Sequence, residues 1–276
     1  MCELFAMSTR RPSTVQLSLE EFSRHGGLSG PHKDGWGLAW YDDGDLRLIK
    51  EAHPASGSAC VRFVQEHPVH SALVLSHIRK ATQGSVATRN CQPFVRELGG
   101  VWHAFAHNGD LQGLRERFDP RRGSFRPVGE TDSELVFCDL LERLRPSWQA
   151  ERRPDAATRF DIVCRFAEEL RGLGPANFLY SDGELLFAHA HRRFQADGTI
   201  RAPGLWRLGR HCEEGGALSA AGLSIEARGA AQDVLLLASV PLTGEAWVPL
   251  AEGTVLAARL GAVALQRAPA PAAGVA

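Results

Sequence analysis

Apolar and polar residues along this chain fall into short runs that predict mostly strands, interrupted by a helical middle. Cys2 to Ser8 mixes apolar residues into a first strand, which Pro12 and Ser13 are expected to break. Val15 to His25 sets Leu17, Leu19 and Phe22 among polar residues, a weak helix ended by Gly26-Gly27. Trp36 to Tyr41 predicts a strand, Asp42 to Asp45 a turn, and Leu46 to Ile49 the returning half of a hairpin. Ala59 to Glu66 is a short amphipathic helix. Ala72 to Arg79 is a strand with an apolar core, Lys80 to Gln92 a loop, and Val101 to His107 a further strand with Asn108-Gly109 directly behind it.

The pattern then changes period. Thr131-Asp132-Ser133-Glu134 stands before Leu135, Val136, Leu140, Leu141 and Leu144. That is a capping box on an amphipathic helix, with Thr131 as N-cap and Glu134 at the third position. Asp132 would lie in the first turn, where the helix dipole favours a carboxylate. A second helix spans Ala156 to Leu170 and ends at Gly172. Strands follow: Asn177 to Tyr180 and Glu184 to His189 around an Asp182-Gly183 turn, then Asp233 to Ser239, Val255 to Arg259 and Val263 to Gln266. Strands, two consecutive helices and strands again read as α+β, with helices layered on antiparallel sheet. No linker-like stretch divides the chain. Residues 2–267 read as one domain, and 268–276, rich in Pro and Ala, as a frayed tail.

Composition narrows the function classes. Of 276 residues, 44% are hydrophobic and 23% charged, as in a folded globular protein. A formal net charge of -1 gives no electrostatic footprint for nucleic acid or an anionic membrane surface. No apolar run approaches the ~20 residues a membrane-spanning helix needs, and the N-terminus has no secretory pattern. The six cysteines are scattered without a C-x-x-C pair, which argues against a zinc ribbon or redox motif. A reducing, cytoplasmic setting fits them.

Four separated features could build one site. Cys2, behind the initiator methionine, would carry a thiol and a free α-amine on one residue once Met1 is trimmed. A thiol is a weak nucleophile at its free pKa and profits from an adjacent base, which that amine could supply. The Asn108 amide and the Gly109 backbone N–H could form an oxyanion hole. Arg79, at a strand end, could hold an α-carboxylate through a bidentate fork. Asp132 could pair with an α-ammonium. Each also has an ordinary reading: a buried thiol, a hairpin turn, a surface ion-pair partner and a helix cap. Together they describe recognition of free glutamine, with its side-chain amide placed at the thiol.

Met-Cys-Glu-Leu-Phe at the start, His77-Ile78-Arg79-Lys80-Ala81-Thr82, Ala106-His107-Asn108-Gly109-Asp110 and Gly129-Glu130-Thr131-Asp132-Ser133-Glu134 resemble the class II glutamine amidotransferase family. Gly30 to Gly37 and the segment Ala238 to Trp247 are similar to its stand-alone, YafJ-like branch. The resemblance covers roughly residues 2 to 260. It implies a four-layer αββα sandwich of the Ntn-hydrolase kind, with two stacked, mainly antiparallel sheets flanked by helices. It implies Cys2 as nucleophile with its own α-amine as base, Asn108 and Gly109 as oxyanion hole, Arg79 and Thr82 as holders of the substrate carboxylate, and Asp132 as binder of its amino group. It calls for no cofactor and no metal. In Asn90-Cys91-Gln92-Pro93-Phe94, Gln92 stands where the family pattern has histidine.

The expected activity is release of ammonia from glutamine through a γ-glutamyl thioester. Hydrolysis of a γ-glutamyl amide or peptide is the alternative on the same residues, and a non-catalytic regulatory module is another. No synthase domain follows within the chain, so an ammonia-accepting partner protein is left open. The eleven histidines include His103 and His107, four apart but on a predicted strand, and no carboxylate completes a zinc-type signature.

Overall fold

The computed structural model describes residues 2–17, 34–55, 58–119, 121, 123–148, 153–195, 197–213, 217–220, 223–226 and 231–269. The first strand, β1 (Glu3–Leu17), sits in the middle of a nine-stranded sheet. One side of it pairs antiparallel with β4 (Val69–Ile78), which pairs in turn with β2 (Trp36–Asp42), and β2 with β3 (Asp45–Glu51). The other side pairs with β14 (Gln232–Ala238), followed by β11 (Trp206–Cys212) and β15 (Val248–Pro249). The short β12 (Ala217–Ala220) and β13 (Leu223–Glu226) extend the far end of β1. A second, six-stranded sheet runs β17 (Ala262–Arg267), β16 (Val255–Arg259), β8 (Leu186–His189), β7 (Ala176–Ser181), β6 (Val101–Gly109), β5 (Phe94–Leu98). A small hairpin pairs β9 (Arg193–Phe194) with β10 (Ile200–Arg201).

Alternation along β1 shows how the layers form. Side chains on a strand point to opposite faces in turn. Leu4 and Ala6 enter the space between the sheets with Leu75, Ala104, Ala106 and Leu237. Phe5 and Met7 face the other way, toward Trp36, Leu38 and the α1 helix (Ala59–Glu66) through Val61 and Val64. Beyond the single-turn α2 (Leu114–Arg117), Phe105, Phe178 and Phe187 of the second sheet pack on α3 (Asp132–Leu144) and α4 (Ala156–Arg171) through Phe137, Leu141 and Phe166. The order is helix, sheet, sheet, helices: the αββα sandwich, with antiparallel pairing throughout the described registers.

Most expected elements stand where their patterns place them. Thr131 is the N-cap as expected, since the Glu134 N–H donates to Thr131 Oγ1 at 3.2 Å, but the Glu134 side chain reaches back to the Gly129 N–H at 2.6 Å rather than to that of Thr131. Three expectations are corrected. Pro12 and Ser13 do not end the first strand. The pairing of β1 with β4 slips between Ser8 and Ser13 and resumes, a bulge that absorbs a proline on an exposed stretch. Val15 to Leu17 are therefore strand, not the start of a helix, while residues 18–25 lie outside the described ones. Asn108-Gly109 is not a turn but the last two positions of β6, paired with Asn177 and Ala176 of β7. Residues 270–276 of the expected tail lie outside the described residues. Among the described residues no helix is long and apolar enough to cross a membrane.

The turn between β7 and β8 is tied to α4 by charge rather than apolar packing. Arg159, 3% exposed, donates to Asp182 at 2.6 Å and to Glu184 at 2.8 Å. Replacing Arg159 with Met would leave the fully buried Asp182 carboxylate uncompensated, and we expect a stability loss of about 3–5 kcal/mol. Denaturant unfolding followed by tryptophan fluorescence measures it.

Candidate active site

The register of β1 against β4 fixes Cys2. Glu3 pairs with Ile78 and Leu4 with His77, so Cys2 meets the chain where it leaves β4. The Lys80 N–H donates to Cys2 Sγ at 3.2 Å, and the thiol donates to Lys80 O at 3.3 Å. Cys2 is half-buried. Desolvation pushes its thiol above the ordinary range, and the Lys80 N–H works against that rise by favouring the thiolate.

The second sheet delivers Asn108 to the same place. Its side-chain Nδ2 donates to the Cys2 carbonyl at 2.6 Å. The amide nitrogen carries two hydrogens, so one donor direction is left beyond that bond. Gly109 follows at the end of β6, where a Cβ would lie 1.9 Å from Pro175 O and 2.6 Å from His107 Nε2. No other residue fits this contact between β6 and the start of β7.

Gln92 has a position of its own to fill. Its side chain accepts from the His107 N–H at 2.6 Å and donates to the His107 carbonyl at 3.2 Å. Strand β5 begins only at Phe94, because Pro93 has no N–H to extend the ladder. The Gln92 amide stands in for the missing peptide and holds β6 one residue short of Asn108. Burial lowers the pKa of the His107 ring, and its Nδ1 lies 2.9 Å from Ser133 Oγ.

Asp132 opens α3 beside this strand end. Its Oδ2 accepts from the Leu111 N–H at 3.0 Å and its Oδ1 from the Ser133 N–H at 2.7 Å. Arg79 is 3% exposed. Its guanidinium donates to backbone carbonyls, Nη2 to Gln83 at 2.9 Å and Gly84 at 3.2 Å, Nη1 to Ser85 at 3.1 Å and Asp34 at 3.4 Å. It shapes the loop after β4 rather than standing as an open fork. Thr82 is exposed on that loop. Glu130 clamps the loop from outside by accepting from Ser85 N and Oγ, each at 2.9 Å, and from Arg89 at 2.6 Å. Those donors, Arg89 first, hold its carboxyl down at about 2.

The structure thus brings Cys2, Asn108 and Gly109 to one seam, with Arg79 and Asp132 on its rims. Sequence reading missed Gln92's clamp, the Lys80 backbone, Glu130 and Asn177, whose Nδ2 donates to the Asn108 carbonyl at 3.1 Å. Asn177 carried a signal, a polar side chain inside an otherwise apolar strand. Among the described residues no group of three or more His, Cys, Asp or Glu is arranged to hold a metal ion.

The layering of two antiparallel sheets between helices is that of an Ntn-type sandwich. Among solved structures, that of a predicted glutamine amidotransferase from Pseudomonas aeruginosa PA01 superposes with a TM-score of 0.71 at 30% identity, covering 96% of this chain and 100% of that one. The phosphoribosylpyrophosphate amidotransferase of Bacillus subtilis shares the fold at a TM-score of 0.58 and 16% identity, over 96% of this chain and 49% of that one. The sequence model of class-II glutamine amidotransferases matches residues 1–274, and the chain belongs to that family, in its YafJ-like branch. YafJ of Escherichia coli K12, assigned only provisionally as a glutamine amidotransferase, is 42% identical over 190 residues, 68% of this chain and 72% of its own.

Two outcomes follow from this geometry. Gly109→Ala forces β6 and β7 apart at Pro175, and we expect a lower thermal midpoint, equivalent to about 1–3 kcal/mol. Glu130 has a folded pKa of about 2 against an ordinary 4.5, so its contribution to stability is present above 4.5 and lost as pH falls toward 2. The thermal midpoint of the wild type should therefore fall more steeply across that window than that of Glu130→Gln.

Proposed function

We propose that the protein is a glutamine-directed amidohydrolase whose nucleophile is the Cys2 thiol. The observation that carries this reading is the bond from the Asn108 amide to the Cys2 carbonyl at 2.6 Å, which sets an oxyanion donor against the residue bearing the thiol. The reading requires removal of Met1, since only then is the Cys2 nitrogen a free amine. That amine takes the thiol proton, and Sγ attacks the δ-carbonyl of glutamine. The oxyanion that forms is met by the second Asn108 N–H and by the Gly109 N–H. As the tetrahedral species collapses, the C–N bond breaks and the departing nitrogen takes the proton from the α-amine, leaving as ammonia. Water then adds to the γ-glutamyl thioester, gives one proton to the Cys2 thiolate, and releases glutamate.

Asp132 would receive the substrate ammonium. Arg79 would receive its carboxylate, which must displace the loop carbonyls that now occupy the guanidinium, and Thr82 would lie beside it. Substrate binding and movement of the 83–85 loop are then one event. Passage of the ammonia to a separate acceptor protein belongs to the same proposal.

The test is intact mass before and after exposure to 6-diazo-5-oxo-norleucine. We expect a chain lacking Met1 that gains one adduct, mapped to Cys2 and absent in Cys2→Ala. A processed chain that takes no adduct overturns direction toward glutamine and favours a γ-glutamyl compound of different shape. With turnover established, Asn108→Ala should lower kcat about 10²–10³-fold with KM little changed.

A further inference from the structure

Behind the seam lies a closed chain of buried contacts. Glu3, the residue after Cys2, is 0% exposed and its Oε1 accepts from Arg193 Nη2 at 2.9 Å. Arg193, 5% exposed, sends Nη1 to the Ser239 carbonyl at 2.5 Å. Ser239 exchanges two bonds with Leu4: its Oγ accepts from Leu4 N and its N–H donates to Leu4 O, both at 3.0 Å. The residues just before Arg193 grip the other strand. Asn177 Oδ1 accepts from His191 N at 2.7 Å, and Asn177 Nδ2 donates to Arg192 O at 2.7 Å as well as to Asn108 O. Gly204 closes over this side chain, where a Cβ would lie 1.7 Å from Asn177 Oδ1. The ring is completed by Asn108 donating to Cys2 O.

We propose that Arg193 is a positioning residue: through Glu3 and Ser239 it fixes the start of β1, and through the 191–193 backbone and Asn177 it ties that start to Asn108. The inference rests on the amidohydrolase reading for its consequence in turnover, but not for its consequence at the thiol. A purely stabilising role fits poorly. A buried ion pair is commonly no better for stability than apolar residues of the same volume. This one also leaves Glu3 Oε2 and Arg193 Nε without a hydrogen bond among the described residues, a further cost. What the pair supplies is direction, since a planar guanidinium can brace a carboxylate and a carbonyl at a set angle.

The test is the pH profile of Cys2 alkylation by iodoacetamide, read by peptide mass spectrometry, in the double variant Glu3→Gln/Arg193→Met. Both charges are removed together; losing the Glu3 charge, which raises the thiol pKa, would by itself lower the alkylation midpoint, so a rise reports the lost bracing. If Arg193 positions Cys2, the thiol loses its fixed approach to the Lys80 N–H. The alkylation midpoint then rises by about half a pH unit or more, while the thermal midpoint stays near the wild-type value. Turnover falls about tenfold in kcat with KM nearly unchanged. An unmoved alkylation profile in the folded double variant overturns the proposal. So does a shift in Arg193→Met that disappears in the double variant, which would mark charge alone as the cause. Arg193→Lys keeps the charge but not the two-point brace. It should shift the profile in the same direction, and it carries the test if the double variant does not fold. A wild type that alkylates normally but leaves glutamine untouched would sink the amidohydrolase reading, while the profile shift still decides the role of Arg193.

Discussion

The Asn108 amide on the Cys2 carbonyl joins the end of β6 in one sheet to the start of β1 in the other. Everything around it exists to hold two strand ends within 2.6 Å. On the Cys2 side, β1 is hydrogen-bonded along both edges, to β4 and to β14, so its first residue cannot wander. On the Asn108 side, β6 is held by β7, by Asn177 and by the Gln92 side chain. The sheets meet over small side chains, Ala6, Ala104, Ala106, Ala188 and Ala258 among them, which lets the backbones approach.

The rims are built differently from the seam. The loop after β4 has few apolar residues to pack, and it is fixed by polar bonds instead. Arg79 gathers its carbonyls from within, and Glu130 gathers Ser85, Arg89 and Asn90 from without. Polar fixing of this kind can be exchanged for bonds to a ligand at little cost, whereas a packed core cannot. The same chain therefore carries a rigid seam at Cys2 and an adaptable rim.

Much of this was legible in the sequence because the physics was local. Alternation gave the strands of the hairpin at Trp36, the 3.6-residue period gave α3 and α4, and the Thr131 cap set the place of Asp132. What the sequence hid was non-local. The β5 strand is short and begins directly behind a proline, so its five residues carried too little periodicity. The bulge in β1 looked like a break because Pro12 cannot join a ladder, and nothing nearby tells that the strand resumes. Asn108-Gly109 has the chemistry of a turn, and only pairing with residues some seventy positions later makes it strand. Gln92 could be flagged as a departure, but its purpose depends on the backbone of His107, which no spacing announces.

The central place of β1 also orders events in time. Its inner partner β4 is synthesised early, but Ser239, which binds the Leu4 N–H and carbonyl, comes 235 residues after Leu4. During synthesis β1 must wait until β14, more than two hundred positions later, is made before its second edge is covered. Long-range closure of this kind is slow, and an uncovered strand edge invites pairing with other chains. Cys2 is thus made long before the last contacts that lock its strand in place.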